Sequence, residues 1–156
     1  MGYRDQVNRF ASTRLGSWIG STLAARLDPW LYRISGGRLT TTLVPTLPML
    51  LLTTTGRKSG KPRTVQIAYT EDDGTWLVVA SNWGKEHHPA WSLNLEANPQ
   101  ANVQIGSEQI PVIAHRLSDD EKAAVWDRLV ANVPNYGSYV ERTDRNIRVY
   151  RLIPND

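Results

Sequence analysis

The sequence predicts a mainly β protein of the α+β class, a small antiparallel barrel of about six strands with helices packed outside it. Three observations lead to this prediction. Short apolar and β-branched runs follow one another from residue 49 onward, with Gly- or Asp-containing turns between them. Helical spacing is confined to the N-terminal segment and to short stretches after residue 89. Strands joined by tight turns, rather than alternating with helices, favour an antiparallel sheet over a parallel one.

The composition indicates a soluble, globular protein. The chain has 156 residues, enough for one ordinary domain with a hydrophobic core. Of these residues, 40% are hydrophobic and 21% are charged. It contains no cysteine, which excludes a disulfide framework, thiolate metal sites and cysteine nucleophiles. The net charge of +3 is too small to argue for nucleic-acid binding, and no apolar run approaches a membrane span. We expect a cytoplasmic location.

The N-terminal segment is predicted to be helical. Apolar residues recur at steps of three and four through 3–27, which is typical of an amphipathic helix. This helix either packs on the protein's own core or a partner chain, or lies on an anionic membrane surface with arginines towards water. Asp28-Pro29 restarts a short helix through Ile34, closed by Gly36-Gly37, and 38–48 reads as a loop. We therefore expect an N-terminal helical segment over 1–44 and one domain over 45–156.

Within that domain, six segments have the composition of strands. The second turn signal, after the first hairpin, is Glu71-Asp72-Asp73-Gly74, and a third is Gly106-Ser107-Glu108. The predicted strands cover 49–55, 63–70, 75–81, 101–106, 109–115 and 147–153.

Helices are predicted between these strands. A short one starts near Pro89, since proline suits the first turn of a helix. Ser118-Asp119-Asp120-Glu121 is a capping-box signature and opens a helix that runs to about Val130. Tyr136 and Tyr139, three residues apart, would share one face of a further helical turn.

The turn between the first two strands is the most informative candidate site. Arg57, Lys58, Lys61 and Arg63 lie within seven residues, between Gly56 and the start of the next strand. Glycine permits tight backbone geometry, and hydroxyl, amide, guanidinium and ammonium groups are all donors. The spacing is not that of a nucleotide-binding P-loop. The segment is therefore either a solvated loop or a grip for a phosphate or carboxylate, and Arg63 favours the grip.

A second cluster follows the strand at 75–81. Ser81 and Asn82 sit at a strand end, where ligands are often bound. The adjacent pair His87-His88 is interpreted as structural, because neighbouring residues do not converge on one metal ion. Trp91 is expected to pack under the following helix, with stacking on a ligand ring as the alternative.

The chain shows no obvious reactive side chain of its own. No Ser-His-Asp elbow, paired-carboxylate pattern or metal motif is found, and His115 lies in a predicted strand. Tyr136 and Tyr139 form either an ordinary core edge or a pair of phenols beside a flat ligand. Ligand-binding signals without reactive groups indicate that a cofactor carries the chemistry.

Taken in order, these clusters resemble the deazaflavin-dependent nitroreductase family of actinobacteria. The resemblance covers about residues 45–155, and residues 30–38 match the family more weakly. Two long strings make it specific, one around the cationic turn and one running from His88 to Pro99. The matching motifs are Leu51–Gly60 with Pro62-Arg63, Val79-Ala80-Ser81, His88–Leu95 with Ala97-Asn98-Pro99, Tyr136-x-x-Tyr139, and Thr143-Asp144-Arg145.

The resemblance implies a split β-barrel, coenzyme F420 as reduced hydride donor, and a set of contact residues. The anionic tail of the cofactor is implied to bind Arg57, Lys58, Ser59 and Arg63. The backbone implied to meet the deazaflavin ring is Thr64, Val65, Gln66, Ile67 and Ala68. Further cofactor contacts are implied at Val79, Ala80, Ser81, Asn82, Ala90, Trp91, Ser92, Leu93, Asn94 and Tyr136. The catalytic candidates around ring and substrate are Ser81, Tyr136 and Tyr139, with Trp91 beside them.

The expected activity is hydride transfer to a planar acceptor, either a quinone, a nitroaromatic or an activated enone. Val133 stands where some members carry a third Tyr, and Asn82-Trp83 where some carry Lys-Gly, which affects the acceptor side. The alternatives are an FMN-binding reductase on the same barrel, since FMN also carries a phosphate, and a non-catalytic deazaflavin carrier. We expect a monomer or homodimer, with peripheral contact to the inner membrane face through 3–27 as an option.

Overall fold

The computed structural model describes Trp30, Arg33, Ile34 and residues 48–155. Within 48–155 there are seven strands, three α-helices and a short 3₁₀ turn at Asn82–Gly84. The strands are β1 Met49–Thr55, β2 Pro62–Ala68, β3 Thr70–Asp72, β4 Thr75–Val79, β5 Gln100–Ile105, β6 Glu108–Arg116 and β7 Val149–Pro154. The helices are α1 Ala90–Ala97, α2 Asp119–Asn132 and α3 Asn135–Glu141.

All seven strands form one antiparallel sheet that curls on itself. The spatial order is β2-β1-β5-β6-β7-β4-β3, so β2 and β3 occupy opposite edges. Only Tyr69 separates these two strands in the sequence, and its N–H donates to the carbonyl of Pro48 at 3.0 Å. A chain that passes from one edge to the other in a single residue requires the two edges to approach each other. The sheet is therefore a split β-barrel, as predicted.

Alternation along the strands divides the buried residues into two clusters. In β4, Val78 faces the inside of the curled sheet, whereas Leu77 and Val79 face outward. The inner cluster draws on β1, β4, β5, β6 and β7 and is completed by Trp91 and Leu95 of α1. The outer cluster joins β4 and β7 to α2 and α3. One helix thus fills the barrel and two cover one flank of it.

The capping box on α2 is present as predicted. The backbone N–H of Glu121 donates to Ser118 Oγ at 3.1 Å, and the Glu121 carboxylate accepts from the Ser118 N–H at 3.1 Å. Three acidic residues in the first turn complement the positive end of the helix dipole. Val125 and Leu129, four residues apart, then face the sheet.

The mainly β class and the order of the elements are confirmed, with small differences at the strand ends. The predicted strand at 63–70 is divided at Tyr69, which explains the seventh strand, and the strand predicted at 75–81 ends at Val79. The predicted helix at 3–27 and the loop at 38–47 lie outside the described residues, and the boundary at 44–45 stays a prediction. No helix in the described part is long and apolar enough to cross a membrane.

Candidate functional site

The cationic turn closes the β1–β2 hairpin through its own backbone. Gly56 N–H donates to the Lys61 carbonyl at 2.8 Å, and Gly60 N–H to the Gly56 carbonyl at 2.8 Å. Gly60 has φ +70°, a left-handed conformation that favours glycine. The side chains between them point outward, and residues 57–63 are all exposed. The turn is therefore a stable frame that carries solvent-facing donors.

Within the described part of the chain, the charge of this turn is not neutralised by ion pairs. Among the described residues, no ion pair involves its four cations, Arg57, Lys58, Lys61 and Arg63. Several like charges in a short loop without counter-ions form a favourable place for an anion. The donor set therefore fits a phosphate or carboxylate.

Asn94 of α1 anchors the start of the turn. Its Oδ1 accepts from the Arg57 N–H at 3.1 Å, and its Nδ2 donates to Thr54 Oγ1 at 3.0 Å. The residue is only 3% exposed. Its amide is thus used to hold the turn against α1, and its predicted contact with a cofactor stays a prediction.

The outward face of β2 continues from this turn. Val65 and Ile67 pack against the inner cluster, so Thr64, Gln66 and Ala68 face the opposite way. Thr64 Oγ1 lies 2.8 Å from Thr53 Oγ1, and Arg33 Nη2 donates to it at 3.4 Å. This face carries three of the five residues that the family resemblance implies at the ring.

The side-chain amide of Gln66 is buried without a partner. Both its Nε2 and its Oε1 have no hydrogen bond among the described residues, although each is shielded from solvent. An unsatisfied buried polar group costs about 1–3 kcal/mol, so such groups usually have a reason to be there. An amide that offers one donor and one acceptor suits a ligand edge with the reverse pattern.

Two cavities lie side by side on the face of β1 and β5. One has a volume of about 550 Å³ and is bordered by Arg33 and Thr64, and the other, of about 330 Å³, reaches Gly60. They share the lining residues Thr53, Pro62 and Asn102. Neither is lined by Ser81, Trp91 or the two tyrosines. These two cavities therefore adjoin the cationic turn.

At that opposite end, a second turn adopts a left-handed backbone. Asn82, Trp83 and Gly84 have φ values of 47°, 58° and 76° in succession. Such conformations cost about 1–3 kcal/mol for each non-glycine residue and persist only when the surroundings impose them. Asn82 Nδ2 donates to the His87 carbonyl at 2.8 Å across the segment. Strain of this kind is typical of functional sites.

Arg145, which the resemblance includes but which was not predicted as a site residue, holds this segment. Its guanidinium donates to the carbonyls of Ala80 at 3.0 Å, Ser81 at 2.9 Å and Lys85 at 3.2 Å. It also contacts His88 Nδ1 at 3.1 Å. In the sequence, the Thr143-Asp144-Arg145 motif could have pointed to this residue. In the structure, Thr143 Oγ1 accepts from the Arg145 N–H at 3.1 Å and fixes the backbone of Arg145.

His88 therefore has a structural role in the structure, as the sequence indicated for the His87-His88 pair. Burial lowers the pKa of His88 below its usual 6.5, and the nearby Arg148, Arg145 and Arg116 lower it further. The neutral ring can accept from Arg145 at Nδ1, whereas the protonated ring cannot.

Tyr136 and Tyr139 lie on one face of α3, as predicted, but that face is buried in the outer cluster. They are 6% and 4% exposed. Burial raises the pKa of both phenols, that of Tyr139 to about 12. Trp83 meets Tyr139 edge-on, with ring centroids 6.1 Å apart. Both tyrosines stay protonated at neutral pH, and their predicted catalytic role stays a prediction.

Half of the eight residues of α1 are buried. Trp91 is a buried packing residue, as expected, but it lies in α1 itself and packs edge-on against Tyr150 of β7, with centroids 5.7 Å apart. Ser92 Oγ and Tyr150 Oη lie 2.7 Å apart in the buried interior, and Tyr150 also donates to Glu96. Ala90 is exposed and Leu93 half-buried. The family-implied cofactor contacts of Ala90, Trp91, Ser92 and Leu93 stay predictions.

The two turns are joined by β2. From Arg63 to Ala68 the strand extends roughly 17 Å, at about 3.3 Å per residue. Ala68 and Trp83 pack against the same outer cluster, which also contains the buried Val133. The outward face of β2 thus runs from the cationic turn to Ala68, which packs on the same cluster as Trp83 of the strained turn, and the Gln66 amide lies along it.

The fold is that of a split-barrel protein, and its exposed cationic turn has a donor set that fits an anion. A family model described as F420H(2)-dependent quinone reductase matches residues 24–154. The chain belongs to this family of oxidoreductases.

Similar proteins agree with this assignment. An F420H(2)-dependent quinone reductase of Mycobacterium tuberculosis is 36% identical over 130 residues, which cover 81% of this chain and 87% of that protein. A solved structure of an F420-H2 dependent reductase, FDR-A, is 40% identical with a TM-score of 0.62, over 67% of this chain and 93% of that one. Another solved structure, described as a domain-swapped dimer, is 36% identical with a TM-score of 0.64, over 80% and 94%.

Proposed function

We propose that this protein transfers a hydride from reduced coenzyme F420 to a quinone. The observation that carries the proposal is the cationic turn, which has no ion pair among the described residues and leads into β2, whose last residue, Ala68, packs on the same outer cluster as Trp83. A relative 36% identical is named for the same activity. Nitroaromatics and activated enones are further candidate acceptors, because they too are planar and accept a hydride.

The described residues fit an elongated cofactor with an anionic tail. Arg57, Lys58 and Arg63 offer charged donors on an exposed frame, and Ser59 adds a hydroxyl. Farther along β2, the unpartnered amide of Gln66 suits the hydrogen-bonding edge of a heterocyclic ring. FMN would use the same two features, so the family assignment is what favours the deazaflavin.

The protein's contribution is to bind, orient and exclude water. When bound, reduced F420 supplies the hydride. The turn would hold the tail and so fix where the ring lies along β2, while the backbone of 64–68 would limit its tilt. Ion-pair contacts at an exposed turn are screened by salt, so we expect cofactor affinity to fall as ionic strength rises.

At the other end of β2, the hydroxyl of Ser81 is the best placed hydrogen-bond donor to the substrate that accepts the hydride. The residue is largely buried at 9% exposure, and its Oγ makes no hydrogen bond within 48–155, whereas its carbonyl is engaged by Arg145. A hydroxyl there would donate to the acceptor oxygen as negative charge develops on it. Trp83 would form a wall for a planar ring. Tyr136 and Tyr139 can act only as neutral groups near pH 7, because burial raises their pKa values.

Purified protein mixed with reduced F420 and menadione tests the activity directly. We expect oxidation of the cofactor, with nitroaromatic and enone acceptors compared in parallel. Separate fluorescence titrations with F420 and FMN decide the cofactor. Tight F420 binding without oxidation by any acceptor would instead indicate a carrier, and binding of FMN alone would indicate a flavin reductase.

We also propose a cytoplasmic protein, a monomer or homodimer, that works at the inner membrane face. The support is the amphipathic pattern of 3–27 and the apolar character of many quinones. Vesicle flotation with anionic and neutral lipids, with and without residues 1–27, tests the membrane contact. Light scattering gives the oligomeric state, for which the relative described as a domain-swapped dimer is a precedent.

A further inference from the structure

The segment from Ala80 to His88 has an unusual backbone and needs an external clamp. Three consecutive residues, Asn82, Trp83 and Gly84, have positive φ. Two backbone bonds close the turn locally, from Gly84 N–H to the Ser81 carbonyl at 2.9 Å and from Lys85 N–H to the Asn82 carbonyl at 3.1 Å. Left-handed turns of non-glycine residues are unfavourable on their own. Something outside the segment has to stabilise it.

Arg145 supplies that clamp from 57 to 65 residues away in the sequence. Nη1 donates hydrogen bonds to Ala80 O and His88 Nδ1, and Nη2 donates to Ser81 O and Lys85 O. All four distances lie between 2.9 and 3.2 Å. One planar group thus meets acceptors on both sides of the left-handed turn. The fixed fork of a guanidinium matches such a set, whereas the single ammonium of lysine does not.

The neighbouring helix closes the turn from the other side. A Cβ on Gly84 would lie 3.1 Å from Tyr139 Cα and 3.0 Å from Arg142 Cδ. Arg142 Nη1 also donates to the Trp83 carbonyl at 3.5 Å, and Trp83 packs edge-on against Tyr139. Trp83 is therefore held in one orientation by its own backbone, by α3 and, through the turn, by Arg145.

We propose that Arg145 is a positioning residue that sets the acceptor preference of the enzyme. It acts through the backbone of 80–85, which places the Ser81 hydroxyl and the Trp83 ring, and it has no part in holding the cofactor tail. This inference rests on the proposed function for its kinetic consequences, although the clamp itself does not.

Arg145→Lys tests the kinetic consequence, with Arg128→Lys as the matched control. Arg128 pairs with Asp72 at 3.0 Å, away from both turns. We expect Arg145→Lys to raise KM for menadione about tenfold or more, and to change the ratio of kcat/KM values for menadione and a nitroaromatic. The Kd for F420 should stay within about twofold. Arg128→Lys should change none of these.

Digestion of the cofactor-free protein with Lys-C tests the clamp independently of any activity. Cleavage after the exposed Lys85 should accelerate several-fold in Arg145→Gln, which removes the guanidinium without creating a new Lys-C site. Cleavage after Lys58 and Lys61, in the cationic turn, should keep its rate and serves as an internal control. A parallel increase at all three sites would mean general destabilisation and would overturn the proposal, as would unchanged cleavage at Lys85.

Gly84→Ala perturbs the same turn where it packs against α3. It provides a second test if Arg145→Lys does not fold. It should reproduce the faster cleavage at Lys85 and the altered acceptor ratio. Equal loss of F420 affinity and acceptor turnover in either folded variant would overturn the positioning role. If the wild-type protein fails to oxidise reduced F420, the proposed function is wrong, yet the digestion still decides whether Arg145 clamps the turn.

Discussion

The two turns at the ends of β2 are built in opposite ways. The cationic turn has one left-handed residue, Gly60, and closes through its own backbone, so its charged side chains remain exposed. The turn at 82–84 has three left-handed residues and depends on side chains from Arg145, Arg142 and Tyr139. The first can adapt its side chains to a flexible anionic tail. The second holds a defined backbone geometry, as the proposed placement of the acceptor requires.

The sharpest test of this comparison is a pair of alanine substitutions, Gly84→Ala and Gly60→Ala. Both residues have positive φ, but only Gly84 has neighbours that a new Cβ would strike, because nothing lies within 4 Å of that position on Gly60. We expect a loss of about 2–4 kcal/mol in unfolding free energy for Gly84→Ala and of about 1 kcal/mol for Gly60→Ala. Urea denaturation measures both. Equal losses would show that crowding at Gly84 is relieved without cost.

The next largest effect is expected on cofactor affinity. Replacing Arg57 and Lys58 together with Ala removes two exposed charged donors, worth roughly 2–3 kcal/mol in binding, or a roughly 30- to 150-fold higher Kd for F420. The unfolding midpoint should hardly change, because neither side chain is buried. Arg116→Ala/Lys122→Ala removes the same net charge elsewhere. If that control weakens binding equally, the effect comes from overall charge rather than from this turn.

Replacement of Gln66 with leucine is expected to have a smaller effect, which raises the stability of the protein and lowers its affinity for the cofactor. Gln66→Leu removes a buried amide that has no partner among the described residues, so the cofactor-free protein should gain up to about 1 kcal/mol of stability. The same change should weaken F420 binding several-fold. Gln66→Glu, of similar shape, should lose both stability and affinity. Loss of stability in Gln66→Leu would mean that the amide already has a structural partner.

The smallest expected effect is a pH dependence of the unfolding free energy that comes from His88, beside the turn at 82–84. Burial and the neighbouring arginines lower the pKa of His88, so below pH 6.5 the unfolded chain binds the proton more readily than the native protein. The stability contributed by the neutral ring is present above pH 6.5 and is lost as the pH falls through the lowered native pKa. Urea midpoints at pH 7.5 and 5.5 measure it. His88→Asn keeps an acceptor but cannot titrate, and an equal fall in that variant would exclude His88 as the cause.

The elements that were predicted well are those whose signal is local. Short apolar and β-branched runs bounded by turn residues marked β1 and β6, and the Ser118 to Glu121 spacing marked the start of α2. The cationic turn was recognised because its donors are adjacent in the chain. The buried amide of Gln66 and the inward orientation of Asn94 were not recognisable, since each depends on what a neighbouring element places beside it.

Local chemistry in the sequence thus determined the strands, the capped helix and the cluster of cations in the first turn, because each requires only residues a few positions apart. Tertiary structure alone decided that β2 and β3, one residue apart in the chain, form opposite edges of the curled sheet, that Tyr136 and Tyr139 are buried, and that Arg145 reaches a turn about 60 residues earlier. A positive-φ turn has no strong sequence signature outside glycine. It exists here because distant side chains satisfy its carbonyls, and only the packed fold brings them together.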